Sequence, residues 1–439
     1  MKKKGIWLTL VVLVILVIGA TMTPKKIKKE VSEPVFWVLS DTHLITTDLY
    51  ESGEEFERIK LTSAGKELEY QEDSLRALVD LALEENPTGI IITGDLTLNG
   101  ERKSAEKLAE ILSPLKNAEI NYYVIPGNHD IHDGWAREFK KDSAVKTTQI
   151  SPKNFEDIFS WSYENSSQKD EHSLSYSVAV NDQLQFLMLD TNIYGKQPGT
   201  TVPQTKGELK KETFSWVEEQ LLTGKEKGVE TIVFMHHNLL QHNDLISTGF
   251  VIEENETLKT LLSKYKVPLV FSGHTHAQSI KTDKKDNITE IVTASYSISE
   301  QIYGEVKFNQ DTISYEKKRV DVDKWAKETG ETDENLLNYQ QFTKDLFIED
   351  GKRMAYVQLI ESGFYHEKKL DVMADFVGEA NWRYFTGNQL QNKDDIEALK
   401  NSNSYQLIKK ESPFLLEYMD SIVEIDNHDN NQIELTCIK

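Results

Sequence analysis

The stretch "LVFSGHTHAQ", residues 269–278, contains the pattern that organises the whole sequence. An apolar, β-forming run ends at a glycine, and two histidines, His274 and His276, follow one residue apart. Histidines at the end of a strand are often only solvated polar residues, and an H-x-H pair on its own is a weak signal. Its meaning depends on whether other strands in the chain end in the same way.

Four other apolar runs also end in polar, ligand-type residues. They are "VFWVLSDTHL" (35–44), "GIIITGDL" (89–96), "NYYVIPGNHD" (121–130) and "TIVFMHH" (231–237). Segments with helical spacing of apolar residues lie between them, at 73–86, 104–115, 213–222 and 256–265. This alternation predicts a mostly parallel sheet covered by helices, with antiparallel hairpins within 173–192 and 288–320. In such sheets, ligands bind at the carboxyl ends of the strands.

The polar residues at these strand ends are a candidate metal site. Six of the eleven histidines fall in these short segments, whereas scattered structural histidines would not sort in this way. Aspartate, asparagine and histidine together suit Mn, Fe and Zn. The polar residues at these strand ends are more than one four-coordinate ion needs, and they suffice for two ions that share a carboxylate. Alternating residues of an extended segment point the same way, so Asp41 and His43 are expected to hold one ion, with Thr42 turned away.

The ordered motifs D-x-H, G-D, G-N-H-D, H-H and G-H-x-H resemble those of the calcineurin-like metallophosphoesterase superfamily, over roughly residues 35 to 320. "GDLTLNGE" (94–101) is similar to the group of class III cyclic nucleotide phosphodiesterases and glycerophosphodiesterases. The resemblance implies an α/β fold, a four-layer αββα sandwich, and two metal ions. The metals implied are Mn, Fe or Zn, and the sequence does not choose among them.

The resemblance also implies a role for each ligand. The first ion would be held by Asp41, His43 and His276, the second by Asn128, His236 and His274, and Asp95 would bridge both. The family often reads H-H-P after the fourth strand, whereas this chain has Asn238 in place of the proline, so His237 stays open as the alternative to His236.

Other polar residues near the motifs are candidates for catalysis and substrate binding. By resemblance, His129 hydrogen-bonds the phosphate or protonates the leaving alkoxide, and the other reading is that it only orients Asp41 or Asp95. Asn99, Arg137 and His237 are candidate substrate contacts, although turn and loop positions of this kind are as often simply solvated. Asp130 is expected to be a structural carboxylate.

The function predicted from this resemblance is hydrolysis of small phosphodiesters by attack of a metal-bridging hydroxide. The substrates would be cyclic nucleotides, such as 2′,3′-cyclic or 3′,5′-cyclic AMP, or glycerophosphodiesters. Bound metal lowers the pKa of water from about 15.7 to about 7. The alternatives are a phosphomonoesterase, a sphingomyelinase-like phospholipid diesterase, suggested by "LDTNIYG" (189–195), and, from another class, a catalytically dead surface-binding protein.

Charge and the N-terminus limit the partners. The chain has 50 basic and 72 acidic residues and a net charge of −22, so we expect no polynucleotide binding. Its one cysteine, Cys437, excludes an intrachain disulfide. The lysine-flanked apolar run in residues 1–30 predicts a cleaved signal peptide or a membrane anchor, and either places the protein outside the cytoplasm. Membrane contact is expected only through this segment. Residues 34–321 are predicted to be the catalytic domain and 322–439 a helical C-terminal domain.

Overall fold

Two mixed β-sheets, packed face to face, lie at the centre of the fold. The computed structural model describes residues 33–423 and 429–436, so the predicted leader, residues 1–30, lies outside the described residues. The strands within these ranges are β1 Val35–Leu39, β2 Gly89–Ile92, β3 Asn121–Val124, β4 Arg137–Lys140, β5 Ser143–Lys146, β6 Gln168–Lys169, β7 Tyr176–Asn181, β8 Leu184–Leu189, β9 Glu230–Met235, β10 Leu269–Ser272, β11 Ser279–Asp283, β12 Ile288–Val292, β13 Ile302–Phe308, β14 Thr312–Arg319 and β15 Gln432–Thr436.

Helices fill most of the segments between the strands and dominate the C-terminal region. Within the same ranges they are α1 Glu54–Thr62, α2 Gln71–Glu85, α3 Arg102–Asn117, α4 Pro152–Ile158, α5 Ser160–Glu164, α6 Lys211–Lys227, α7 Asn255–Lys264, α8 Val322–Thr329, α9 Glu334–Leu337, α10 Tyr339–Glu361, α11 Glu367–Phe385, α12 Lys393–Lys400, α13 Asn403–Glu411 and α14 Pro413–Val423.

The first sheet has the strand order β15-β14-β13-β1-β2-β3. Its strands β1, β2 and β3 pair in parallel, so that Val38, Ile91 and Tyr123 lie in one row across the sheet. These strands are almost entirely buried, which is why they read as continuous apolar runs in the sequence. The carboxyl ends of three consecutive strands therefore meet at one edge of this sheet.

The second sheet has the order β11-β12-β10-β9-β8-β7-β6, with parallel strands in the middle and antiparallel strands at both ends. Alternate residues of β8 face opposite sides of the second sheet. Phe186 belongs to the core between the two sheets, and its ring centroid lies 4.9 Å from that of Phe36 in β1. Leu187 packs in the core that includes residues of α6 and α7. Because α2 and α3 cover the first sheet, the predicted four-layer αββα sandwich is confirmed.

The C-terminal region is mainly helical, as predicted, and its helices α10, α11, α13 and α14 share an apolar core. One element differs from the prediction, because β15 is a strand that pairs antiparallel with β14 at the edge of the first sheet. The signal was a period of two, since Ile433 and Leu435 pack toward the core and their neighbours are exposed. The domain boundary at residues 321 and 322 stays a prediction, and the described residues from Pro34 onward form one compact unit. In the described part of the chain, we find no helix with the length and apolar character needed to span a membrane.

Candidate metal centre

Every predicted metal ligand follows the carboxyl end of a central strand. Asp41 and His43 follow β1, Asp95 follows β2, Asn128 follows β3, His236 follows β9, and His274 and His276 follow β10. Since β1, β2 and β3 are parallel, as are β9 and β10, their ends lie side by side at one edge of each sheet. The sandwich brings these two edges together, and the seven side chains converge.

The backbone turns sharply at this edge. Positive φ values are rare for residues other than glycine, yet five predicted ligands have them: Asp41 (54°), His43 (42°), Asp95 (49°), His274 (68°) and His276 (61°). Asp41 and His43 do lie in one ligand group, as expected, but strand alternation is the wrong reason, because β1 ends at Leu39 and both residues are left-handed. Such strain is maintained where the surrounding structure fixes a functional geometry.

Small residues make this close approach possible. A Cβ atom at Gly273 would collide with the Oγ of Ser40 and lie 2.6 Å from Oδ2 of Asp41. A Cβ atom at Gly127 would overlap the backbone nitrogen of Asp95 and lie 2.7 Å from its Cγ. The glycines of the G-H-x-H and G-N-H-D motifs are thus required because ligand-bearing loops pass directly against them.

The first group of potential ligands consists of Asp41, His43, Asp95 and His276. Each contributes one donor atom, and these atoms all lie within 4.8 Å of one another. The Nε2 atoms of His43 and His276 are 3.1 Å apart. The Nε2 atom of His43 is 3.6 Å from Oδ2 of Asp95, and that of His276 is 3.4 Å from Oδ1 of Asp41. His276 is the one partly exposed member of this group.

The second group contains Asp95, His236 and His274, whose donor atoms also lie within 4.8 Å of one another. The Nε2 atom of His236 is 3.4 Å from Oδ2 of Asp95 and 3.2 Å from Oδ1 of Asn128. Asp95 therefore belongs to both groups. This division is the one that the family resemblance implies, and the binding of ions by these groups stays a prediction.

Hydrogen bonds to carbonyl groups set the tautomers of two histidines. Nδ1 of His236 donates to the carbonyl oxygen of Thr93 at 2.9 Å, and Nε2 of His274 donates to that of Thr205 at 2.9 Å. A carbonyl oxygen can only accept, so Nε2 of His236 and Nδ1 of His274 are left as the atoms with a free lone pair for an ion. Burial and the neighbouring His236 lower the pKa of His274 to about 3, which keeps its ring neutral as a ligand must be.

Two carboxylates are buried side by side in the centre. Burial raises the pKa of Asp41, but His276 and His236 outweigh this effect and hold the pKa below its ordinary value. Burial also raises the pKa of Asp95, but His236 and His129 outweigh it and hold the pKa well below its ordinary value. Both groups are thus ionised in a site almost closed to water, where negative charge is stable only with cations close by.

The donor set fits two metal ions. Ionised carboxylates, imidazoles and an amide oxygen face two adjoining spaces, and one carboxylate is shared between them. These donors are acceptable to Mn, Fe and Zn alike, so they do not identify the metal. The prediction of metal binding thus rests on a preformed arrangement of matching donors.

His129 lies next to the first group. Its backbone N–H donates to Oδ1 of Asp95 at 2.8 Å, and its ring centroid is 5.3 Å from that of His43. Its Nδ1 atom is 3.0 Å from Oδ1 of Asn99 and 3.6 Å from Oδ2 of Asp133. Burial lowers the pKa of His129 to about 4, although Asp95 acts to raise it. The partly exposed ring is placed where it can meet a substrate, and its catalytic role stays a prediction.

The candidate substrate contacts differ in their placement. Asn99 bonds the ring of His129 and is therefore at the site. Arg137 donates to the carbonyl oxygens of Gly134 and Ala136 in its own loop, which gives no support to a substrate contact. His237 is fully buried with Nδ1 2.8 Å from the hydroxyl of Thr191, and it belongs to neither ligand group.

Sequence reasoning missed two residues near the centre. Asp133 is buried, and its Oδ2 atom lies 3.6 Å from Nδ1 of His129. Its position four residues after His129 in the same loop is the sequence feature that could have identified it. Lys66 lies in the segment between α1 and α2, which is linked to Asp41 through Ser297, and no motif marked it. Asp130 has the structural role expected of it, since its two oxygens accept four hydrogen bonds.

Two protein families match this sequence. Residues 34–278 match the calcineurin-like phosphoesterase family, and residues 321–430 match the family described as the C-terminal domain of cyclic nucleotide phosphodiesterase. Because the first match spans more than half of the chain, the protein belongs to the calcineurin-like phosphoesterase family. The chain is therefore an enzyme of the metal-dependent phosphoesterase class, as its motifs predict.

Two similar proteins carry related names. A probable glycerophosphodiester phosphodiesterase GpdQ from Arcobacter nitrofigilis is 26% identical over 256 residues, which cover 57% of this chain and 78% of that protein. A probable cyclic nucleotide phosphodiesterase from Ruthia magnifica subsp. Calyptogena magnifica is 25% identical over 204 residues, covering 46% and 68%.

A solved structure shares the fold. The crystal structure of a dimetal phosphatase from Danio rerio aligns with a TM-score of 0.50 at 13% identity, and the alignment covers 65% of this chain and 96% of that one. At this identity the likeness concerns the fold alone.

Proposed function

We propose that this protein hydrolyses small phosphodiesters with the help of two metal ions. The substrates would be cyclic nucleotides, such as 2′,3′-cyclic or 3′,5′-cyclic AMP, or glycerophosphodiesters. The observation that carries the proposal is the pair of ligand groups sharing Asp95, with His129 beside them. The names of the two relatives, both phosphodiesterases, support the choice of a diester.

The residues of the centre would bind two different ions. Asp41, His43 and His276 would hold one ion, and Asn128, His236 and His274 the other, with Asp95 bridging. Bound ions would activate water and stabilise the charge that develops on the phosphoryl oxygens.

His129 is the residue placed to handle a proton. The hydrogen bond from Nδ1 to Oδ1 of Asn99 fixes the ring, so Nε2 is the atom that would contact the phosphate. Nε2 would give a proton to the leaving alkoxide only from the protonated ring. The backbone N–H of the same residue holds Oδ1 of Asp95 and thereby orients the shared carboxylate. Asn99 would therefore act through His129.

The alternative of phospholipid hydrolysis gains no support from the segment that suggested it. In "LDTNIYG" the hydroxyl of Tyr194 donates to Asp190 at 2.8 Å, and the amide of Asn192 donates to the carbonyl oxygen of Pro126 at 2.7 Å. These hydrogen bonds stabilise the segment and attach it to the loop that leads to Asn128. The location outside the cytoplasm and the monoesterase activity remain separate predictions, whereas membership of an enzyme family opposes the alternative of a catalytically dead binding protein.

A substrate panel tests the proposed function. Metal-free protein is reconstituted with Mn²⁺ and assayed on 2′,3′-cyclic AMP, 3′,5′-cyclic AMP, glycerophosphocholine and bis(4-nitrophenyl) phosphate, with 4-nitrophenyl phosphate as the monoester. We expect activity on a diester that exceeds activity on the monoester, is abolished by EDTA and is restored by metal. Asp95→Asn should lose both metal and activity. Faster cleavage of the monoester, or activity that EDTA leaves unchanged, would overturn the proposal.

A further inference from the structure

Lys66 lies in a loop that is linked to the metal centre by backbone hydrogen bonds. The loop joins α1 to α2, and its turn is closed by a hydrogen bond from the backbone N–H of Lys66 to the carbonyl oxygen of Ser63 at 3.2 Å. The next residue, Glu67, donates its backbone N–H to the carbonyl oxygen of Ser297 at 2.8 Å. Ser297 in turn donates its backbone N–H to the carbonyl oxygen of Asp41 at 3.3 Å. One residue thus separates this loop from a predicted metal ligand.

The ammonium group of Lys66 has no counter-ion of its own. Among residues 33–423 and 429–436 its Nζ atom makes no ion pair and no hydrogen bond, although the side chain is half-buried. Burial lowers the pKa of Lys66, and Asp95, Asp41 and Asp350 act in the opposite direction. A half-buried cation without a partner is costly unless an anion completes the site.

The loop of Lys66 is linked to the part of the centre that would face a substrate. Asp41, which it reaches through Ser297, belongs to the same ligand group as His43. The ring centroid of His43 lies 5.3 Å from that of His129, the predicted catalytic histidine.

The C-terminal helix α10 holds this loop in place. The hydroxyl of Tyr339, at the start of α10, donates to Oε2 of Glu67 at 2.9 Å. The ring of Phe347 packs so closely on Gly65 that a Cβ atom there would lie 2.6 Å from it. Gly65 also has a φ of 71°, which favours glycine. Both sides of Lys66 are thereby fixed by residues of the helical region.

We propose that Lys66 is a substrate-binding residue that contacts an anionic oxygen of the phosphate, and that helix α10 positions it for this contact. The inference rests on the proposed function, because the phosphate group that Lys66 would bind belongs to the proposed phosphodiester substrate. It also explains how a chain with a net charge of −22 attracts an anionic substrate. The helical region would then serve catalysis by holding one cation over the cleft.

Binding of inorganic phosphate tests this role without relying on turnover. Mn²⁺-loaded protein is titrated with phosphate by calorimetry, and the variants Lys66→Met and Lys66→Arg are compared with Lys107→Met. Lys107 is a matched control, because it is a partly buried lysine paired with Glu110 on the surface of α3. A charge-assisted hydrogen bond corresponds to a factor of roughly 10 to 100 in affinity.

The expected pattern separates substrate binding from a structural role. Lys66→Met should weaken phosphate binding about 10- to 100-fold and raise KM for bis(4-nitrophenyl) phosphate more than it lowers kcat. Metal content and unfolding midpoint should match the wild type, and Lys66→Arg should recover most of the affinity. Phosphate affinity and KM that are unchanged in Lys66→Met, or lost only together with metal or stability, would overturn the inference. Failure of the wild type to cleave diesters would instead overturn the proposed function, because phosphate binding is measured independently.

Discussion

Asp130 joins two loops that carry the metal centre, although it faces neither ligand group. Its Oδ2 atom accepts hydrogen bonds from the backbone N–H groups of Leu96, at 3.0 Å, and Gly127, at 2.8 Å. Its Oδ1 atom accepts from the backbone N–H and the hydroxyl of Thr97, at 2.9 and 2.8 Å. The loop after Asp95 and the loop before Asn128 are therefore held together by one buried carboxylate.

The magnitude of its contribution follows from these contacts. Asp130→Ala would leave the backbone N–H groups of Leu96, Thr97 and Gly127 buried without an acceptor. Each such donor costs about 1 to 3 kcal/mol, so the loss should be at least about 3 kcal/mol. Asp130→Asn keeps an oxygen that accepts from Thr97, but its NH₂ group would face the backbone N–H groups of Leu96 and Gly127, which are also donors. This loss of two acceptors should lower the free energy of unfolding by about 2 kcal/mol. Domains are stable by only about 5 to 15 kcal/mol, so both effects are large.

Urea unfolding of the metal-free protein measures these losses. Asp345→Ala, an exposed position on α10, is the control and should stay within about 0.5 kcal/mol of the wild type. In the folded Asp130→Asn variant, Mn²⁺ affinity should fall about 10- to 100-fold, since the ligand loops are less well held. A loss of less than about 1 kcal/mol in Asp130→Ala would refute the reasoning, because three orphaned donors cannot cost so little.

Two further substitutions test the packing around the centre. Gly273→Ala should displace Asp41, since the new methyl group would lie 2.6 Å from its Oδ2 atom, and a Mn²⁺ titration that matches the wild type would contradict this. Burial raises the pKa of Glu67 from its ordinary value of 4.5 to about 7, so the folded state retains a proton that the unfolded state has released. Stability should therefore fall by about 3 kcal/mol as the pH rises from about 4.5 to above about 7. Glu67→Gln should remove this fall, which urea unfolding across that pH range measures. If the variant keeps the pH dependence of the wild type, Glu67 is not the group responsible.

The seven ligand positions were predictable because parallel strands force a simple geometry. Once "GIIITGDL" and "LVFSGHTH" are recognised as buried parallel strands, their polar ends must lie near one edge of a sheet. The family resemblance then implies that Asp95 is shared, and the structure includes it in both groups. The apolar runs and the helical spacing predict a sheet covered by helices, and the resemblance implies the four layers.

What the sequence did not reveal depends on contacts between distant segments. The left-handed turns at Asp41 and His43 occur where Gly273 packs against Ser40 and Asp41, a contact that alternation along a strand cannot anticipate. The approach of Lys66 depends on Tyr339, which is more than 270 residues away. Strand β15 carries a correct period of two but is short and follows a long helical region, so its pairing with β14 was missed.

Anomalous diffraction from crystals soaked in Mn²⁺ tests the dinuclear centre most directly. Two peaks are predicted, one in contact with Asp41, His43 and His276 and the other with Asn128, His236 and His274. Both peaks should contact the carboxylate of Asp95. A map without peaks at these side chains, or a single ion with Asp95 turned away from it, would contradict the account.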